Sequence, residues 1–389
     1  MMFRLRPWSV GWCVAFMASC FVGCDASVPK SGPPNAAATE NSDSKAKAIA
    51  AAHAATEGGT KKRIIILTNG DSPFWDACRA GLNSANSDLK LGEAGLKAVL
   101  DVNTEKLEGQ LAKLQQYGTQ SDIAGIGISA IDANNVAIAS ELQALAKKGI
   151  KIVTIDSDVS REKFRDARFA FIGTDNLTGG KVLGTTARGL KSDGGEYVTF
   201  VGFTGAQNAI ERIGGFAEGA GDKFTSKDNM ADETDESRAR DNVRNAILNH
   251  KQLSVLVGIW SYNAPAIVDV VREINRRKDF TVVVFDADPA AIAAMKDGQI
   301  DAMVVQNPYE MGYQGVRLLH AMVADKKDVI AEMLPKLGQT EGDIYDTGLK
   351  VVVPSDDSLL KANQFDKSVQ FLALPAFQEW LTKFGLTGS

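Results

Sequence analysis

The chain has 389 residues, 44% of them hydrophobic and 23% charged, and a formal net charge of −5. This length and apolar content can bury substantial cores, with room for about two domains. A mildly acidic chain without a basic block argues against nucleic acid as its main partner.

Residues 1–23 read as an export signal rather than as fold. Arg4 and Arg6 make a positive start, and residues 8–22 are mostly apolar, uncharged and too short for a comfortable membrane span. Phe21-Val22-Gly23-Cys24 resembles the lipobox of bacterial lipoproteins, which implies a lipid on Cys24 and a membrane anchor, with Phe21 in place of the usual Leu. Asp25 resembles a signal for retention at the inner membrane. Of the four cysteines, Cys13 and Cys20 would leave with the signal and Cys24 would be acylated, so Cys78 is alone and no intramolecular disulfide is expected. Residues 24–61 are rich in Ala, Ser, Pro, Gly and Thr, cannot bury enough surface to fold, and read as a disordered tether.

From Lys62 onward, apolar runs and helical patterns alternate. Residues 63–68 form a continuous β-branched run, broken by Asn69-Gly70-Asp71 and restarted by Ser72-Pro73-Phe74-Trp75. That sequence reads as buried strand, turn and helix start, with Ser72 as N-cap and Pro73 at the first helical position. Phe74, Cys78, Leu82, Ala85 and Leu89 make the buried stripe of that helix, and Trp75 falls off it. On the stripe, Cys78 reads as a small buried hydrophobe. Further strands are expected over 96–101, 123–129, 151–156, 169–172, 197–202, 255–259, 281–286 and 302–306. Helices are expected between most of them, over 104–117, 134–148, 179–190, 210–224, 236–249 and 264–276. Such alternation specifies an α/β fold with parallel sheets, and the strands are too many for one compact sheet. Two lobes follow, 62–174 with about 307–335, and 175–306 with about 336–354. Residues 355–389 are an extension whose 371–384 segment reads as an amphipathic helix.

In parallel sheets the strand ends line the binding crevice. Here they carry Asp71 and Ser72, Ser129, Asp156, Tyr262 and Asn263, Asp286 and Gln306. Val153-Thr-Ile-Asp156 and Val283-Val-Phe-Asp286 repeat one pattern, an apolar strand ending in Asp. Carboxylates and amides pair with hydroxyls, Arg clamps two oxygens, and aromatic faces accept the C–H face of a sugar ring, so the set suits a neutral polyol. There is no phosphate loop, no nucleophile elbow and no metal-binding His pair, and His53, His250 and His320 have no ligand spacing. No catalytic residue, metal or cofactor is expected. A paired-carboxylate glycosidase using Asp156 and Asp286 stays as a distant alternative.

These residues together resemble the periplasmic sugar-binding proteins of ribose, allose and galactose type, the substrate-binding subunits of ATP-binding cassette importers. The resemblance spans roughly 62–354 and rests on Ser72-Pro-Phe-Trp75, Thr154-Ile-Asp156, Gly173-Thr-Asp-Asn-Leu-Thr-Gly-Gly180, Glu211-Arg212 with Gly215-Phe216, Val284-Phe-Asp286 and Gln306. It implies a type I periplasmic binding fold, two Rossmann-like lobes joined by a multi-strand hinge. It further implies that Phe74 and Trp75 flank the sugar ring, that Asp156 accepts from its hydroxyls, and that Arg212 clamps ring or anomeric oxygens. Phe285 would pack on the ring, Asp286 and Gln306 would bond hydroxyls, and Asn263 would serve as an amide ligand. Ser129, Ser157 and Thr234 stand where ribose binders carry Asn, Arg and an aromatic residue, which argues against ribose.

The resemblance implies an exported, lipid-anchored monomer that hands a monosaccharide to a permease, with no nucleic acid partner. A sensing subunit for a membrane kinase or chemoreceptor would use the same pocket. A repressor of the lactose type would need a helix-turn-helix where this chain has an export signal.

Overall fold

The computed structural model describes residues 61–104 and 106–389. The signal segment, Cys24 and the tether up to Thr60 lie outside the described residues. The apolar runs become strands buried on both faces, the environment that continuous Val and Ile sequences fit. They are β1 (Lys62–Leu67), β2 (Leu96–Asp101), β3 (Ile123–Ile128), β4 (Lys151–Ile155) and β5 (Phe171–Gly173) in one sheet. A second sheet holds β6 (Gly195–Val201), β7 (Phe224–Ala231), β8 (Leu253–Gly258), β9 (Thr281–Phe285) and β10 (Ala302–Val305). Then β11 (Ile344–Asp346) returns to the first sheet beside β5, and β12 (Leu349–Val353) and β13 (Val369–Ala373) extend the second.

The spatial orders are β2-β1-β3-β4-β5 and β7-β6-β8-β9-β10, so the two lobes share one doubly wound topology. Among the described strands all pairing is parallel except that of β10 with β12. In each sheet the winding reverses beside the first strand, which opens a crevice at the carboxyl ends of the strands.

The chain crosses between lobes three times. The helix Asn176–Leu190 leads into the second lobe and packs on the helix Gln207–Ala220, while Pro308–Val323 returns to pack on Pro73–Asp88. Both helix pairs approach closely through small residues. A Cβ on Gly180 would lie 2.4 Å from the Arg212 carbonyl oxygen, so only glycine lets these two helices come this near. That approach also brings Asn176 within reach of the Arg212 side chain.

Several boundaries differ from the sequence reading. The last crossing falls after β11, because Ile344–Asp346 pairs with β5 although 336–354 reads as second lobe. A three-residue strand carries too little pattern to be assigned to either sheet. The edge strand β7 was not expected at all, since its Thr225 to Asn229 side chains are exposed and give no apolar signal, and the helix expected over 210–224 ends at Ala220. Phe371 belongs to β13, and the terminal helix is Leu374–Lys383. Trp75, off the helix stripe by periodicity, is 3% exposed and packs edge-on to Phe74 with ring centroids 5.1 Å apart. Cys78 is buried in the core of the first lobe, as the stripe implies.

The terminal extension is part of the second lobe rather than an appendage. Leu374, Phe377 and Leu381 sit in the core formed with Val352, Met303 and Met295. Ser389 exchanges backbone hydrogen bonds with Ala287 and donates from its hydroxyl to the Gln306 carbonyl at 3.0 Å. Truncating a fully buried aromatic removes its transfer energy and leaves a cavity. Phe377→Ala should therefore lower stability by about 3–5 kcal/mol, read from urea unfolding of the chain.

Candidate functional site

The site sits where the strand ends of both sheets face each other, a space of about 420 Å3 including its mouth. The turn after β1 contributes Asn69 and Ser72, and the helix behind it Phe74 and Trp75. Asp156 follows β4 and Asp286 follows β9, and both occupy the left-handed region, with φ of 64° and 67°. Asp tolerates this conformation better than most residues. In each case the backbone N–H still continues the sheet, Asp156 donating to Ile172 and Asp286 to Val304. The repeated strand-then-Asp pattern is thus one local structure used twice.

Arg212 lies between the two carboxylates. It is 1% exposed, on the second turn of the helix Gln207–Ala220. Its Nε donates to Asn176 Oδ1 at 2.9 Å and its Nη1 to the Ile259 carbonyl at 3.0 Å. The guanidinium carbon stands 4.0 Å from the Phe285 ring centroid, a cation–π platform beneath it. Nη2 has no hydrogen-bond partner although it is buried, and the nearest oxygens of Asp156 and Asp286 are each 3.9 Å from the guanidinium nitrogens. Those distances are too long for a hydrogen bond.

Burial dominates the electrostatics. It pushes Asp286 up to about 6, against the opposing pull of Arg212 and Gln306. It also raises Asp156, opposed by Arg212, Ser129 and Asn208. The same desolvation lowers Arg212, offset by the two aspartates.

Of the residues expected from sequence, Ser72, Phe74, Trp75, Asp156, Arg212, Thr234, Tyr262 and Asp286 line this space. Ser72 precedes its helix, but its side chain makes no capping hydrogen bond. Five others do not line it. Ser129 donates to Asp156 Oδ2 at 2.8 Å from behind, and Gln306 donates to Asp286 Oδ1 at 2.9 Å. Phe285 is covered by Arg212 and presents its face to the guanidinium rather than to a ring. Ser157 is fully buried with an unpartnered hydroxyl. Asn263 donates to Asp232 Oδ2 at 2.9 Å and accepts from the Trp260 backbone N–H, so its amide is used in holding its own loop.

Further side chains, Ser261 among them, were not foreseen. Asn208 donates to both Asp156 oxygens, at 3.3 and 3.4 Å, and accepts from Trp260 Nε1 at 3.2 Å. Trp260 and Asn69 also line the space. Asp232 is fully buried and accepts from the Tyr262 hydroxyl, from Asn263 and from the Thr234 backbone, and burial pushes it up to about 6. Asn208 precedes the Glu211-Arg212 motif by one helical turn, and that spacing was the available signal.

The lobes also touch outside the pocket. Lys106 pairs with Glu233 at 2.7 Å, and Arg161 with Glu211 at 3.1 Å. Among the described residues no cluster of acidic, Cys or His side chains has the arrangement of a metal site, and no helix is long and apolar enough to cross a membrane.

Comparison with known proteins supplies the family. A profile described as a periplasmic binding protein domain matches residues 63–327. The ribose import binding protein RbsB of Bacillus subtilis is 22% identical over 264 residues, covering 66% of this chain and 81% of that protein. The D-allose-binding periplasmic protein of Escherichia coli is 24% identical over 263 residues, covering 66% and 82%. Among solved structures, a solute-binding protein of an ABC transporter from Burkholderia graminis, in complex with D-arabinose, superposes with a TM-score of 0.64 at 25% identity. That match covers 76% of this chain and 96% of the other. A solute-binding protein from Agrobacterium vitis with bound D-fucose gives 0.67 at 19% identity, over 78% of this chain and 99% of its own, a likeness of fold. The chain belongs to the periplasmic binding protein family.

Proposed function

We propose that this protein captures a monosaccharide or related polyol between its two lobes and delivers it to an ATP-binding cassette permease. One observation carries the reading: the fully buried Arg212, which has a carboxylate 3.9 Å away on either side, keeps an unpartnered Nη2, and Asp156 Oδ1 at 3.9 Å is too far away to accept from it. A buried, unpaired donor of this kind is costly. A ligand oxygen placed there would accept from Arg212 while neighbouring hydroxyls donate to Asp286, and the rings of Phe74, Trp75 and Trp260 would cover its C–H faces. The relatives named for ribose and allose support a sugar over other polar ligands.

Each lobe contributes part of this hydrogen-bond set, so ligand favours the closed arrangement over the open one. The closed form is the one that would dock on the permease. We read the site as one that binds rather than one that cleaves, with Asp156 enclosed by donors from Ser129, Asn69 and Asn208.

Asp286→Ala removes the carboxylate while leaving Arg212 buried. Titration calorimetry with the best sugar of a monosaccharide panel should show at least a roughly hundredfold loss of affinity, as expected when a charged partner is deleted. A panel without any thermal shift would refute the sugar reading.

Binding should also depend on pH. In the empty site burial holds the Asp286 proton up to about pH 6. Donation from ligand hydroxyls favours the ionised form, so uptake of ligand displaces that proton. Affinity should therefore be constant above pH 7 and fall below pH 6, approaching about tenfold per unit, in titrations run at pH 7.5 and pH 5.

The lipid anchor at Cys24 belongs to the same proposal, as the means of holding the receptor near its permease. Cys24→Ser should shift the protein from the membrane to the soluble fraction of cell lysates, with sugar binding unchanged.

A further inference from the structure

We propose that Thr234 is a specificity-determining residue: it closes the mouth side of the sugar site and confines the ligand to a ring that carries no substituent in that direction. The proposal rests on the sugar-binding reading above and concerns the size of ligand that the site accepts.

Outside the pocket lies a second, outer cleft between the lobes, about 1120 Å3 including open solvent. Asp71 and Ser72 of the first lobe and Thr234 and Tyr262 of the second line both spaces, so these residues form the neck between them. Thr234 stands across the neck from Gly70, which also lines the pocket. A Cβ on Gly70 would lie 3.8 Å from the Thr234 methyl, which is van der Waals contact. At this point the gap therefore takes no more than a methyl group, and a substituent on a bound ring does not pass through it. The Thr234 hydroxyl is turned away, donating to the adjacent Glu233 carbonyl at 2.6 Å, so the neck meets a methyl rather than a hydrogen-bonding group.

The backbone that carries this methyl is strained. Glu233 and Thr234 are successive left-handed residues, with φ of 55° and 64°. That conformation suits glycine, and for a β-branched residue it is an outlier. The surroundings enforce it. Glu233 donates its backbone N–H to the Gly202 carbonyl, and Thr234 donates its own to Oδ1 of the fully buried Asp232 at 2.9 Å. The Glu233 carboxylate pairs with Lys106 of the first lobe at 2.7 Å, which ties the loop to the far side of the cleft. No core depends on the Thr234 side chain, because it is exposed and its hydroxyl bonds only within the loop. Strain held in place at the rim of a site, by a side chain that packing does not require, points to a part in the site itself.

The test uses the full chain and Thr234→Gly, which removes the methyl and fits the left-handed backbone. Calorimetry takes the tightest binder among D-ribose, D-arabinose, D-allose, D-galactose and D-glucose, together with each mono-O-methylated form of that sugar, its methyl glycosides included. At least one methylated form should bind the unmutated chain roughly tenfold or more weakly than the parent, and Thr234→Gly should recover that form by roughly tenfold relative to the parent. The midpoint of urea unfolding should meanwhile hold or rise, because glycine relieves the strain. Thr234→Ala serves as the second variant if the first is unfolded by circular dichroism. Methylated forms that all bind the unmutated chain as tightly as the parent would show an open neck and overturn the proposal. Recovery of none of them in the folded variant would overturn the role of Thr234, as would a fall in stability with an equal loss of affinity for every form, the mark of a merely structural residue. Silence of all five parent sugars would instead overturn the sugar-binding reading on which the proposal rests.

Discussion

The structure depends on a buried guanidinium. Arg212 is among the largest fully buried side chains of the protein, and a cation there is tolerated only because its surroundings are arranged for it. Asn176 and the Ile259 carbonyl take two of its donors, and the Phe285 ring lies under its plane. The two aspartates supply compensating charge from opposite lobes. Holding one cation between two lobes makes their mutual position and the state of the site a single property.

This arrangement also explains the glycines. Asn176 reaches Arg212 because two helices approach until a Cβ on Gly180 or Gly215 would overlap backbone on the facing helix. The stretch from Gly173 to Gly180 is therefore a packing device serving the site from behind. Phe285 has a similar indirect part, as a platform for the cation. Gln306 orients Asp286, and the Ser389 hydroxyl in turn holds the Gln306 carbonyl, so the terminal extension reaches the back of the same carboxylate.

The two lobes repeat one topology but not one chemistry. Asp156 and Asp286 share a strand-end position, a left-handed backbone and burial, and differ in how many protein donors they meet. The repeated strand order supplies matching scaffolds, and single side chains such as Asn208 break the symmetry. The charge pairs Lys106–Glu233 and Arg161–Glu211 lie outside the pocket and join lobe to lobe without ligand.

Sequence by itself determined the α/β class, the two parallel sheets and the aspartates that end their strands. Those features are local: apolar runs buried on both faces, turn residues after them, and helical periodicity between them. That Phe74, Trp75 and Arg212 would face one ligand was implied by the family resemblance, through matching motifs rather than distance. Tertiary structure alone decided which of the named residues meet a ligand. Phe285, Gln306 and Ser129 lie at strand ends and Asn263 opens a helix, all beside the site, yet each is taken up by a neighbour distant in sequence. Asn208 and Trp260 are an ordinary helix residue and a strand-end aromatic until the fold sets Asn208 against Asp156 and Trp260 against Asn208. Polar edge strands such as β7 and three-residue strands such as β11 were equally silent, because their place is set by the partner strand and not by their own pattern.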